Sequence, residues 1–137
     1  MAMDRGHLRG CGRCDRLGDF MKKLSAPEEE FYLHCRVDNL KAVRQFAFHP
    51  TRKWQFDFAW PKEMIAAEIE GGVWLGANGG HTSGTGYANN CEKYDEAILL
   101  GWHVLRFTPD MVKSGYAIEM TKKLIKRLTR DDHSRPY

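Results

Sequence analysis

The chain has 137 residues and lacks any apolar run near the roughly 18 residues that a membrane span requires. Its first twenty residues, MAMDRGHLRGCGRCDRLGDF, contain no apolar stretch of the kind a secretory signal carries. Charge of one sign is also missing. Lys and Arg number 21 against 18 Asp and Glu, a net charge of +3. That balance permits a nucleic-acid partner without requiring one, because local clustering of basic side chains decides the matter. The four cysteines (Cys11, Cys14, Cys35, Cys91) come without an export signal, so they read as thiols in a cytosolic protein rather than as disulfides. What is present is enough for one core: 42% hydrophobic and 12% aromatic residues exclude a disordered chain, and the length fits a single domain.

Residues 1–22 are Gly- and Arg-rich without sustained periodicity and read as a basic N-terminal arm; residues 23–137 read as the folded domain. Cys11-Gly12-Arg13-Cys14 is a lone CxxC. With His7 and either Cys35 or Cys91 it could hold zinc, but no second pair at metal spacing accompanies it, and a flexible arm is the simpler reading.

Ser25-Ala26-Pro27-Glu28 is a helix-start signal, with Pro early and acids in the first turn. The helix is expected to run to about Asn39, with Phe31, Cys35 and Leu24 inward. The period then changes to two. Gln45 to His49 and Lys53 to Trp60 alternate, and the alternation predicts Trp54, Phe56, Phe58 and Trp60 on one face, opposite Lys53, Gln55, Asp57 and Ala59. A short link containing Pro50 implies an antiparallel hairpin. A third strand covers Met64 to Glu70. Seven glycines then fall within residues 71–86, a loop long enough to be functional. Tyr87, Cys91, Tyr94 and Ile98 predict the inner stripe of a second helix, Trp102 to Thr108 a buried fourth strand, and Pro109-Asp110 the start of a last helix. That helix would have Ala117, Met120, Leu124 and Leu128 inside and Lys122, Lys123, Lys126, Arg127 and Arg130 outside. The expected fold is α/β, a central mixed four-stranded sheet flanked by helices in the order α-β-β-β-α-β-α.

Acids occur where strands normally exclude them. Asp57 interrupts FDFAW, while Glu68 and Glu70 sit two apart in IAAEIEGG, a spacing that puts both side chains on one face. They could simply face solvent on the polar side of a sheet. Buried together on adjacent strands, they would need a cation, and hard oxygen ligands suit magnesium or manganese, with the main-chain carbonyl of Ile69 as a further ligand. His81, flanked by glycines in GGHTSGTG, could act as a general acid or a phosphate contact, or be one exposed loop histidine of six.

The combination of Asp57, ten residues, then Glu68-Ile69-Glu70, between two helices, resembles the PD-(D/E)XK nuclease superfamily. The stretch KWQFDFAWP…IAAEIEGG…HTSGTGYANNCEKYDEAILLGWHVLRFTPDMV looks like a phage-type branch similar to very-short-patch-repair-like endonucleases, over about Pro27 to Lys126. The resemblance implies a restriction-endonuclease-like fold and a magnesium-dependent endodeoxyribonuclease, in the host cytoplasm if phage-encoded. Asp57 matches the second-strand metal-binding acid and Glu68 the first acid of the (D/E)XK motif. Glu70 stands where the family usually has Lys and would act as base or second-metal ligand without supplying positive charge. Glu28 resembles the acid that the first helix often directs at the site, with Glu29 and Glu30 as rivals. Lys93 resembles the polar residue that some branches place near the metal and would supply the missing cation; a solvated helix lysine is the plain alternative.

For DNA, Arg52, Lys53, His81 and Arg106 are the candidate phosphate contacts. So little chain remains outside the catalytic core that nicking or cutting of branched or junction DNA is more natural than base-specific cutting. RNA would use the same site, and a homodimer would supply paired cuts, although nothing in the sequence fixes one. The competing reading is a non-catalytic DNA-binding protein that retains a nuclease fold, for which the Glu70 departure is the best support.

Overall fold

The computed structural model describes residues 23–71 and 84–133. In order, its elements are helix α1 (Ala26–Val37), strands β1 (Val43–Ala47), β2 (Gln55–Trp60) and β3 (Ile65–Ile69), helix α2 (Gly84–Leu99), strand β4 (His103–Phe107), the short helix α3 (Pro109–Lys113) and helix α4 (Tyr116–His133). The strands form one mixed sheet in the order β1-β2-β3-β4. β1 pairs antiparallel with β2, and β2 antiparallel with β3, as short links allow. β4 lies parallel to β3, and the crossover that a parallel pair demands contains α2. The fold is therefore the expected α/β arrangement of a mixed four-stranded sheet with flanking helices.

Local signals explain where the elements begin and end. α1 starts at the N-cap Ser25, and the Glu28 side chain three residues on accepts the Ser25 N–H at 2.6 Å. α2 stops because Gly101 adopts φ +91°, which lets the Trp102 and Gly101 amides bond back to the Ala97 and Ile98 carbonyls. The single last helix expected from sequence is two: α3 is capped by Thr108, whose hydroxyl accepts the Met111 N–H, and the chain breaks at Gly115 (φ +83°) before α4. Among the described residues no helix is long and apolar enough to cross a membrane.

Two apolar layers sandwich the sheet. On one face Phe31 and Cys35 of α1, Val112 of α3, and Ala117 and Ile118 of α4 pack on Phe58, Trp60, Ile65, Ala67, Ile69 and Phe107. On the other, Ala97 of α2 and Trp102 pack with Phe56, Ala59, Ala66 and the half-buried Phe46 and Phe48. Cys35 is a fully buried core side chain, and burial pushes its thiol up to about 12. Cys11, Cys14 and His7 lie outside the described residues.

Two expectations about facing require correction. Phe56 and Phe58 do not share a face: Phe56 stacks on Phe48 toward α2, whereas Phe58 meets Phe31 edge-on toward α1. The alternation slips at Asp57, opposite Gln45, whose φ of +51° breaks the pleat of β1. Likewise Tyr87, Cys91 and Ile98 of α2 are exposed, and its sheet-facing side carries buried Ala97 with half-buried Lys93, Tyr94 and Glu96.

The α2 terminus makes a stability test. Gly101→Ala forces a side chain into the left-handed region, where its Cβ would meet only Met64 at 3.9 Å, so the penalty is conformational. Denaturant unfolding is expected to show a loss of about 1 kcal/mol for Gly101→Ala. No loss is expected for Gly71→Ala, where φ is ordinary and nothing lies within 4 Å.

Candidate active site

The β2–β3 ladder runs through Trp60↔Ile65, Ala59↔Ala66 and Phe58↔Ala67, and its paired register ends there. Beyond it the strands part, and a side chain takes over the backbone's role: the Ile69 N–H donates to Asp57 Oδ2 at 2.9 Å. The amide bond holds the Asp57 carboxylate in the opening between the strands. Ile69 directs its main-chain polar groups toward β2, because the even-numbered residues beside it bond to β4, as the Glu70 N–H does to Phe107 O at 2.7 Å. Its carbonyl therefore faces the same opening.

Glu68 lies next to this opening on the α2 side of β3. Lys93 of α2 reaches it, Nζ donating to Oε1 at 2.8 Å, with both side chains about nine-tenths buried. The ammonium also sits 5.7 Å from the Phe56 ring centre and 5.6 Å from that of Tyr94. Glu28 arrives from the first turn of α1. One of its oxygens is held by the Ser25 amide, and the side chain is close enough to hydrogen-bond Asp57. Together Glu28, Asp57, Glu68 and Ile69 line a cavity of about 430 Å³, closed by Leu24, Ser25 and Gly71, with Lys23 at its wall.

The electrostatics of this group are those of crowded, partly desolvated carboxyls. Burial pushes Asp57 upward; the Ile69 amide and Lys93 oppose this, and the Glu28 carboxylate adds to it. Burial likewise raises Glu68 from 4.5 to about 7, against the pull of Lys93 and with the push of Asp57 and Glu70.

Glu70 goes elsewhere. Its Oε1 accepts from Arg106 Nε at 2.5 Å across β3 and β4, and it does not line the cavity. The expectation that Asp57, Glu68 and Glu70 share one centre is thus corrected: Glu28 takes the third place, and Glu70 is drawn off by a cation that β4 places beside it. In this arrangement no three His, Cys, Asp or Glu side chains among the described residues are grouped as metal ligands. Arg106 is half-exposed, lies 4.5 Å over the Tyr94 ring and is committed to Glu70. The phenol of Tyr94 is pushed upward by burial and by Glu68 and Glu70.

Arg52 and Lys53 lie in the link between β1 and β2. Lys53 is exposed; Arg52 stacks 4.0 Å over Trp54 and donates to Asn89 at 3.2 Å and Glu92 at 3.4 Å. Beside them is a residue that sequence reading passed over. His49 Nδ1 accepts the Arg52 N–H at 2.9 Å and the Thr51 N–H at 3.2 Å, so Nε2 carries the proton it gives Glu96 at 3.0 Å. Trp54 adds a bond to Asn89 at 3.3 Å. These contacts clamp the turn to α2 at positions 89, 92 and 96, on either side of Lys93. The available signal was the stripe Asn89, Glu92, Glu96 at helical spacing. His81 lies outside the described residues.

No protein-family model matches the chain, and no curated protein matches it. Among solved structures it is similar to the catalytic domain of the homing endonuclease I-Bth0305I, at 18% identity and a TM-score of 0.50, covering 77% of this chain and 94% of that one. At that identity the likeness is one of fold: the four-stranded sheet and its helices form an architecture that a nuclease catalytic domain also uses.

Proposed function

We propose that the chain is a metal-dependent DNA endonuclease hydrolysing phosphodiester bonds at the opening between β2 and β3. The observation that carries this reading is the pair Asp57 and Glu68. Both are carboxyls raised by burial, brought to one cavity where the sheet parts, with a lysine on one of them. The fold shared with a homing endonuclease catalytic domain supports it.

The donor set fits magnesium or manganese: hard carboxylate oxygens of Asp57 and Glu68 and the Ile69 carbonyl beside them, with more negative charge than Lys93 balances. Bound there, the metal would polarise the phosphate and lower the pKa of a coordinated water. The protein's own groups do the rest. The Ile69 amide fixes the Asp57 carboxylate. Glu28, anchored on the Ser25 amide, holds the far wall of the cavity. The Lys93 ammonium supplies the positive charge that Glu70 does not, and faces charge developing on the phosphoryl oxygens. Arg52 and Lys53, on the turn clamped to α2, are placed to contact the DNA backbone; His81 is a further candidate from the Gly-rich loop. With so little chain beyond the core, nicked, branched or junction DNA is the substrate geometry we favour, and RNA would meet the same groups.

A second reading, a DNA-binding protein without turnover, draws on the Glu70–Arg106 pair, which leaves the motif's last position outside the cavity. Incubation of the protein with supercoiled, linear, single-stranded and four-way-junction DNA separates the two. Cleavage that requires magnesium and stops in chelator supports the endonuclease; binding without cleavage in every metal would overturn it.

Two further outcomes follow from the site. Asp57→Asn should abolish cleavage with the fold intact and the melting temperature unchanged or higher, because it removes charge from a crowded cluster. Lys93→Met should lower kcat by about 10²–10³-fold with smaller effect on KM. Undiminished turnover in either variant would remove that residue from the reaction.

The raised Glu68 carboxyl also sets a pH dependence of stability. Its folded value of about 7 exceeds the 4.5 of the unfolded chain, so between these values the folded state holds a proton the unfolded state has lost. Stability in chelator should therefore fall as pH climbs from 4.5 to about 7 and then level. Thermal melts of wild type and Glu68→Gln across this window should show a shallower fall in the variant. Magnesium, which favours ionised carboxylates, should raise the melting temperature more at pH values above the window than below it.

A further inference from the structure

Among the described residues β4 is an edge strand, and its outer side is not guarded. The opposite edge, β1, is kinked by Gln45 at φ +51°, a protective device against strand pairing. β4 has none. All five of its residues pair in unbroken register with β3, and it contains no proline, no lysine and no bulge. The direction of its free backbone groups can be derived. The His103 N–H bonds to Met64 O, and Phe107 O accepts from the Glu70 N–H, so the odd-numbered residues turn toward β3. Val104 and Arg106 then present their N–H and C=O groups outward.

Along this edge lies a cavity of about 740 Å³, a groove walled by Tyr94 and Ile98 of α2 on one side and Leu124 of α4 on the other. Its rim is apolar and uncovered: Ile98 is 67% exposed, Leu99 82% and Leu100 40%. Leucines and isoleucines so placed beside an open strand edge mark a surface that excludes water when covered.

We propose that two copies of this chain pair through β4, antiparallel about a twofold axis at Leu105, joining their sheets into one. The strand is complementary to itself in that register alone. Val104 of each copy meets Arg106 of the other, and each such pair exchanges two backbone hydrogen bonds. Moving the axis to Arg106 would set two guanidinium groups directly opposite, and moving it to Val104 would leave the outward groups of Arg106 facing Trp102, beyond the strand's end. The charge at Arg106 is already balanced by Glu70 within its own copy, so burial against Val104 leaves no lone cation. The twofold keeps like faces together, so the two α2 helices lie antiparallel on the same side of the joined sheet. Other occupants fit less well. Residues 1–22 have no alternating apolar run, and 134–137 are short and contain Pro136. The chain's own Val73-Trp74-Leu75, outside the described residues, would cover the edge within one copy and leave a monomer.

Sedimentation equilibrium of the full chain tests this without reference to catalysis. Wild type should be a reversible dimer. Val104→Pro removes an outward N–H from each copy and leaves the β3 ladder whole, so the variant should fold and its dimer dissociation constant should rise by at least about tenfold. Val104→Thr, which keeps the amide, should remain dimeric. Should the proline variant fail to fold, Val104→Lys, which sets an ammonium against the other copy's Arg106 in both pairs, should weaken the dimer with an unchanged circular dichroism spectrum. A wild type monomeric at every soluble concentration would overturn the proposal, as would a dimer indifferent to both Val104→Pro and Val104→Lys.

Discussion

The arrangement depends on one substitution of partners: a carboxylate where a backbone group would otherwise sit. β2 and β3 are a regular ladder as far as Phe58↔Ala67, after which the Ile69 amide is satisfied by Asp57 Oδ2. A buried N–H left unpaired costs about as much as a lost hydrogen bond, so strands can separate inside a small core only if something else takes that donor. Asp57 does so, and in doing so it is held half-buried near two other acids. The opening and the electrostatic stress in it have the same cause. Replacing Asp57 by an apolar residue would let the ladder close or leave the Ile69 amide unsatisfied, and the cavity lined by Glu28 and Glu68 would lose its reason to exist.

Around that opening each of the other three groups is positioned by an unrelated local rule. Glu28 is where it is because it caps α1 through the Ser25 amide. Glu68 follows from the pleat of β3, whose odd residues fill the α1–α4 layer and whose even residues face α2. Lys93 depends on where α2 lies over the sheet. Ala97, one turn on, lets the helix approach closely, while the turn carrying His49, Arg52 and Trp54 grips Asn89, Glu92 and Glu96. Burial alone would not hold α2 this way, because its apolar residues Tyr87 and Ile98 face outward.

This distribution explains what could be read from the sequence. Period-two strands, a proline-marked helix start and a glycine stop gave the element order, and acids inside strands gave Asp57 and Glu68, because both kinds of signal are local. The facing of Phe56 against Phe58 could not be read, since the slip at Asp57 is forced by Gln45 on the neighbouring strand, twelve positions away in sequence. Period two also correctly put Glu68 and Glu70 near one another but could not show that β4 would offer Glu70 an arginine. The stripe Tyr87, Cys91, Tyr94, Ile98 has helical spacing and the wrong face, because hydrophobic period alone cannot tell a core contact from an uncovered surface.

The diversion of Glu70 has a further physical meaning. Three carboxyls already line the cavity, Lys93 is bonded to one of them, and burial raises two. A fourth acid turned inward would raise them further, at a cost growing with each like charge in a medium poorer than water at screening them. Arg106 relieves that cost by holding Glu70 on the strand's outer side, where Tyr94 lies beneath the guanidinium and completes its surroundings. The pair is half-exposed, so its own contribution to stability is small. Its larger effect is to keep a fourth carboxylate out of the cavity that Glu28, Asp57 and Glu68 line.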